Sequence, residues 1–259
     1  MAKPWQTRLR KLGQRKWRQR YQEAPLEGIR LVETALEHRA PLLAAWYAPD
    51  LHTRPGGQDV LDRLGTAGVK VFGVGADELK KVASVETSQG LIATMALVEP
   101  PLTTGGDLWV VVDGVQDPGN LGTIIRSAAA ADVDGMFLLP GTVDLHNPKT
   151  LRAAMGAAFQ FPIHTDASFP GQVLPFFRSE GAQIAVADVG GQLAPREVDF
   201  TGKVALIIGN EGWGPSEEVK SHADWGVRIP MPGGAESLNV AMATTVLLYE
   251  VVRQRSLVW

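Results

Sequence analysis

Six short apolar runs punctuate the last 150 or so residues of this 259-residue chain: "LWVVVDGV", "GMFLLPG", "FQFPIHT", "QIAVADV", "KVALIIGN" and "GVRIPM". Each is rich in Val, Ile or other apolar residues, and Gly or Pro bounds it. Runs of this length without polar alternation read as strands covered on both faces, the pattern of a parallel sheet. Helical segments separate them, so this half is α/β. In such sheets ligands collect beyond the carboxyl ends of the strands.

The first 97 residues hold a helical stretch ("EGIRLVETALEHR"), an apolar run ("LLAAWYAP"), a second helix ("DVLDRLGTAG") and a strand ("VKVFGV"). The Pro/Gly/Thr-rich segment Glu99–Asp107 separates the halves. The expected organisation is therefore a smaller α/β domain over 1–98, a linker over 99–107 and a parallel-sheet domain over 108–259.

Composition narrows the chemistry. There are no cysteines, which excludes disulfides, thiolate metal sites and Cys nucleophiles and fits a cytoplasmic protein. The five histidines are scattered without metal-ligand spacing, so no metal is expected. No apolar run reaches the length of a membrane span, and the first twenty residues are too charged for a signal peptide. Those twenty residues hold eight Lys/Arg and no acid, while the remainder carries 17 Lys/Arg against 28 Asp/Glu. A basic arm interleaved with Trp5 and Trp17 suits phosphate contacts and base stacking; a solvated, frayed terminus is the plainer alternative.

Nucleotide-binding signatures fail. "VFGVGADE" offers Gly73 and Gly75 but places Glu78 where the third glycine of a dinucleotide fingerprint belongs. No phosphate-binding GxxxxGK[ST] loop and no G-x-S-x-G nucleophile elbow occur. A dehydrogenase, a P-loop enzyme and an ordinary serine hydrolase all lose support.

Three strand-end loops concentrate the polar residues. In "DGVQDPGNLGTIIRSAAAAD" a turn leads into a helix beginning near Asn120. Leu121, Ile124, Ile125 and Ala128 share one face of it, and Arg126 projects roughly opposite. In "KVALIIGNEGWGPSEE" glycines flank Asn210-Glu211, and Pro215-Ser216 with two acids mark a helix start. In "IPMPGGAESLNVAMATTVLLYE" a helical pattern follows the Pro/Gly loop, with Leu238, Ala241, Met242, Thr245, Leu248, Tyr249 and Val252 on its apolar positions. Ser237 or Asn239 could cap that helix, but a cap needs one of them, not both.

Together, in this order, the three stretches resemble the signature motifs of the SpoU (TrmH-like) branch of the SPOUT methyltransferases. Asn120 and Arg126 fall in its N-L-G-x-I-I-R pattern, "IIGNEGWGPS" in its G-N-E-G-x-G-x-S loop, and Ile229–Glu250 in its I-P-M…S-L-N-V helix. The resemblance spans about residues 107–252. The first half is similar to the substrate-binding domain of many members, although the family's Phe-x-x-Glu-Gly is here Ala24-Pro25-Leu26-Glu27-Gly28. The resemblance implies methyl transfer from S-adenosyl-L-methionine to a ribose 2′-OH of RNA, ribosomal RNA favoured over transfer RNA. It also implies a trefoil knot in the C-terminal domain and a homodimer. Gly209, Ile229, Met231 and Leu238 would line the cofactor, and Arg126 would act on the hydroxyl. Asn120, Glu211, Ser237 and Asn239 would position ribose, phosphate and Arg126. Arginine rarely loses a proton in proteins, so a clamp on phosphate and developing alkoxide suits Arg126 better than a base. Proton removal by Glu211 or by water stays open. A non-catalytic RNA- or ribosome-binding protein on the same scaffold is the rival reading.

Overall fold

The computed structural model describes residues 3–85 and 88–255, and the chain divides into two compact units. The first comprises residues 1–98 and 144–160, the second residues 99–143 and 161–259.

The first unit is built on a mixed sheet of β1 (Glu23–Glu27), β2 (Leu42–Tyr47), β3 (Lys70–Gly73) and β4 (Leu91–Ala96), in the order β1-β4-β2-β3. β4 runs antiparallel to β1 and β2, while β3 is parallel to β2. Alternation along β4 sends Leu91, Ala93 and Met95 into one core and Ile92 into another. The first core receives α3 (Ile29–Glu37) and α4 (Gly57–Thr66). The second receives α1 (Pro4–Leu12), with Leu79 of α5 (Ala76–Lys80). β1 escapes a reading by pattern because it is short and carries Pro25, which an edge strand tolerates.

The basic terminus is neither extended nor frayed over its described residues. It folds as α1 and α2 (Arg15–Tyr21). Leu9 and Leu12 are buried, Trp5 stacks on Trp46 and Trp17 stacks on Tyr21. Several of its cations serve the fold. Lys3 pairs with Glu78, Arg8 with Glu23, and the buried Arg18 donates to Asp144 (2.8 Å) and to the Leu12 carbonyl (2.7 Å).

The division departs from the sequence-based one in one segment. Residues 144–160 leave the second unit and join the first, where Leu151 of α7 (Pro148–Ala153) enters the core beside Val32 and Leu91 and Phe159 packs against it. Burial of Leu151 there and pairing of Asp144 with Arg18 are the physical reasons.

The second unit holds β5 (Leu108–Val112), β6 (Gly135–Leu138), β7 (Ile163–His164), β8 (Gln183–Ala187), β9 (Val204–Ile208) and β10 (Trp225–Val227). All are parallel, as the six apolar runs predict, and they lie in the order β10-β8-β9-β5-β6-β7. Trp109, Val111, Ile184, Val186, Ala205 and Ile207 pack with Phe176 and Phe177 of α8 (Leu174–Glu180). The intervening Val110, Val112, Leu206 and Ile208 are equally buried, so the central strands are covered on both faces. α6 (Pro118–Ala130) packs with α10 (Val240–Arg255), and Ser127 and Thr245 hydroxyls meet at 2.7 Å. The short α9 spans Glu217–Lys220. Among the described residues no helix is long and apolar enough to cross a membrane.

α10 buries a different face from the one its periodicity suggests. Ala241, Thr244, Leu247, Leu248 and Val251 are buried, whereas Met242, Val246 and Tyr249 are exposed at 60%, 45% and 50%. The helix is apolar on two sides, so period alone does not select the inward one.

Candidate active site

Three loops leave the carboxyl ends of β5, β9 and β10. β5 and β9 are neighbours, and the Asp113 amide continues their ladder to the Ile208 carbonyl at 2.8 Å. Beyond β5, Asp117 caps α6 by accepting from the Asn120 amide at 2.8 Å, with Pro118 at the first helical position. The cap fixes where the Asn120 side chain starts. Leu121, Ile124, Ile125 and Ala128 are all buried, which turns Arg126 outward as expected.

Beyond β9 the chain makes a tight bend. Asn210 and Gly214 exchange two backbone hydrogen bonds at 3.0 Å. The Asn210 side chain accepts from the amides of Gly212 (2.8 Å) and Trp213 (3.3 Å) and donates to the Gly114 carbonyl at 2.6 Å. The bend requires glycine at position 209. A Cβ there would lie 2.0 Å from the Pro215 nitrogen and 2.2 Å from the Gly214 carbonyl carbon. Ser216 then caps α9, and its amide donates to Asp113 at 2.7 Å.

The bend presents Glu211 to the start of α6. Its carboxylate accepts from the backbone amides of Gln116 (3.2 Å) and Asp117 (3.1 Å) and from Asn120 Nδ2 (3.0 Å). Burial pushes the Glu211 carboxyl up. The bond from Asn120 and those from the amides of Glu211, Asp117 and Gln116 outweigh it and hold the group below its ordinary value. With its amide spent on Glu211, Asn120 turns Oδ1 to Asn239 and accepts from Nδ2 at 2.9 Å. Asn239 in turn accepts from the amides of Ala241 (2.9 Å) and Met242 (3.3 Å), closing the start of α10. Reversing either amide group would set donor against donor, so the chain Glu211–Asn120–Asn239 specifies its own orientation.

Three of the five expected polar residues therefore meet. Arg126 and Ser237 do not join them: both are exposed and neither side chain has a hydrogen bond or ion pair among the described residues. The helix cap falls to Asn239 alone, leaving the Ser237 hydroxyl free. Asp113, Asp117 and Asn210 hold the loops together, a role the sequence did not assign to any of them; the Asp-Pro pair ahead of the helix was the available signal for Asp117.

Residues 107–249 match the SpoU rRNA methylase family, and residues 7–93 match the MRM3-like substrate binding domain. The chain belongs to the SpoU rRNA methylase family. An uncharacterized tRNA/rRNA methyltransferase of Synechocystis is 34% identical over 97% of this chain and 92% of its own length. A 23S rRNA (uridine(2479)-2′-O)-methyltransferase of Streptomyces viridochromogenes is 32% identical over 94% and 87%. The structure of the SpoU methyltransferase AviRb from Streptomyces viridochromogenes in complex with the cofactor AdoMet superposes with a TM-score of 0.89 at 30% identity, covering 98% of each chain.

The features of this SpoU member fit such a cofactor. Gly209 is buried where backbone crosses backbone. Ile229 and Met231 are half-buried and Leu238 is 39% exposed. The backbone amides of these three make no hydrogen bond among the described residues, which leaves donors free along the third loop.

Proposed function

We propose that this protein transfers a methyl group from S-adenosyl-L-methionine to a ribose 2′-hydroxyl of 23S ribosomal RNA and works as a homodimer. The observation that carries the reading is the linkage Glu211–Asn120–Asn239 across three strand-end loops, with Arg126 unpaired on the same helix as Asn120. S-adenosylmethionine supplies an activated methyl group, so the protein has to align the hydroxyl and manage its proton. Gly209, Ile229, Met231 and Leu238 hold the cofactor, largely through backbone groups. Arg126 clamps the substrate phosphate and the developing alkoxide, to which a permanently charged guanidinium is suited. Ser237 binds the ribose.

Glu211 positions Asn120 and does not take the proton. Three N–H groups already occupy its carboxylate, and its lowered pKa makes it a weak base. Water receives the proton. The first unit captures the RNA, and the exposed Met242, Val246 and Tyr249, spaced on one side of α10, form the contact with a second copy. A trefoil knot in the second unit belongs to the same reading.

The test is labelled methyl transfer to transcribed 23S ribosomal RNA, with transfer RNA as the competing substrate. Arg126→Ala abolishes transfer while cofactor affinity by titration calorimetry stays near wild type. A large loss of cofactor binding would reassign Arg126, and transfer to transfer RNA alone would reassign the substrate.

A further inference from the structure

Trp213 is the most exposed large apolar side chain among the described residues, at 83%. The other described tryptophans are packed. Trp5 stacks on Trp46 and Trp17 on Tyr21, Trp109 lies against Phe176 and Phe177, and Trp225 meets Phe200 edge-on. Trp213 has no ring neighbour and no cation over its face among the described residues.

Its exposure does not come from a loose loop. The Trp213 amide donates to Asn210 Oδ1, as does that of Gly212, and Asn210 and Gly214 clamp the bend from both ends. Neither flanking residue carries a side chain that could cover the indole, and around Gly214 (φ +72°) a Cβ would meet nothing within 4 Å. The indole is thus held out on a rigid bend, two residues past the carboxylate that fixes Asn120. It also fills the position that the shared G-N-E-G-x-G pattern leaves open, so the chemistry common to the family does not demand it.

An exposed, pre-positioned indole offers a flat apolar face, and every nucleobase has a matching π-face. We infer that Trp213 is a stacking platform for an unpaired base of the RNA next to the ribose being methylated, an inference that rests on the RNA reading above. A base inside a duplex has both faces covered by its neighbours, so a base free to stack on Trp213 lies in a loop, in a bulge or at a helix end, and the target nucleotide lies beside it.

The test uses the full chain, wild type against Trp213→Ala and Trp213→Phe, with transcribed 23S ribosomal RNA. The alanine variant raises KM for RNA roughly 5- to 150-fold, the range set by base–aromatic stacking. Its kcat, cofactor affinity and mass by light scattering stay at wild-type values, and phenylalanine restores most of the loss. An unchanged KM for RNA overturns the inference. So does an equal loss of cofactor affinity, or a change of oligomeric mass, which would place the indole between copies of this chain. If wild-type protein transfers no methyl group, the functional reading fails separately. A gel-shift titration with the same transcript then decides the role of Trp213, and equal affinity of wild type and Trp213→Ala overturns it.

Discussion

Replacing Gly209 by alanine adds one methyl group at the tightest crossing of the site, and Gly212→Ala adds the same group three residues along the same bend. At Gly209 the new Cβ would sit 2.0 Å from the Pro215 nitrogen, with two more backbone atoms within 2.5 Å. Ordinary contact begins near 3.4 Å, so Pro215 or the end of β9 must retreat by about 1.4 Å. No flexible side chain can absorb that shift, because every atom met is backbone. The displaced strand end carries Asn210 and Glu211, hence Asn120. A misplacement of about 1 Å costs on the order of 100-fold in rate, or about 2.7 kcal/mol of barrier. The overpacking itself costs roughly 1–3 kcal/mol of stability. At Gly212 the Cβ meets only Asn210 Oδ1 at 3.4 Å, which asks for no movement. Initial rates of labelled methyl transfer, with thermal unfolding alongside, should give about 100-fold loss for Gly209→Ala in a folded protein. Gly212→Ala should stay within about threefold, under roughly 1 kcal/mol. Equal rates for the two variants would refute the claim that backbone crossing at Gly209 sets the geometry of Glu211.

The remaining expectations concern RNA capture, pH and assembly. Arg10, Lys16 and Arg20 are exposed and form no ion pair among the described residues. Changing all three to Gln should weaken RNA binding without lowering Tm. Its salt dependence should flatten by about 0.7–0.9 for each phosphate no longer neutralised; an unchanged slope would make these helices bystanders. His146 and His164 are held below the ordinary 6.5, first by burial and against the pull of Asp144 and Glu99 respectively. The unfolded chain therefore binds more protons, and the stability these groups confer is complete above pH 6.5 and declines on acidification. Tm should fall as the pH drops below about 6.5, and His146→Gln should shrink that fall. Tyr249→Glu on the exposed face of α10 should halve the mass seen by light scattering while leaving Tm of the monomer little changed; an unaltered dimer would place the contact elsewhere.

Much of the second unit was legible because its strands are continuous apolar runs, the pattern of a sheet covered on both faces. Asn120, Glu211 and Asn239 were legible as polar residues at strand ends, but their linkage into one chain was not. Asn239 shows why: capping and bridging use opposite ends of one amide, and sequence shows only the residue type. α1 and α2 were obscured by charge, since Leu9 and Leu12 sit among eight cations, of which Arg8 and Arg18 are taken up by acids of the same unit. α10 misled because both of its sides are apolar. The excursion of residues 144–160 left no local trace, because a single leucine in a short helix does not say which core it enters.

That excursion bears on how such proteins can be assembled and taken apart. The chain passes between the units at 98–99, again at 143–144 and again at 160–161. A cut at the first junction would not release a self-sufficient module. The fragment before it would keep Arg18, 3% exposed, without Asp144, and breaking a buried pair from one side costs about 3–5 kcal/mol. It would also lack Leu151 from its core, while the fragment after it would display that leucine to water. The amino-terminal half is therefore not a cassette that recombination could swap at a single point. Any lineage that exchanges it must exchange the buried insert and its salt-bridge partner together, and the specificity of RNA capture would be inherited with the second half as much as with the first.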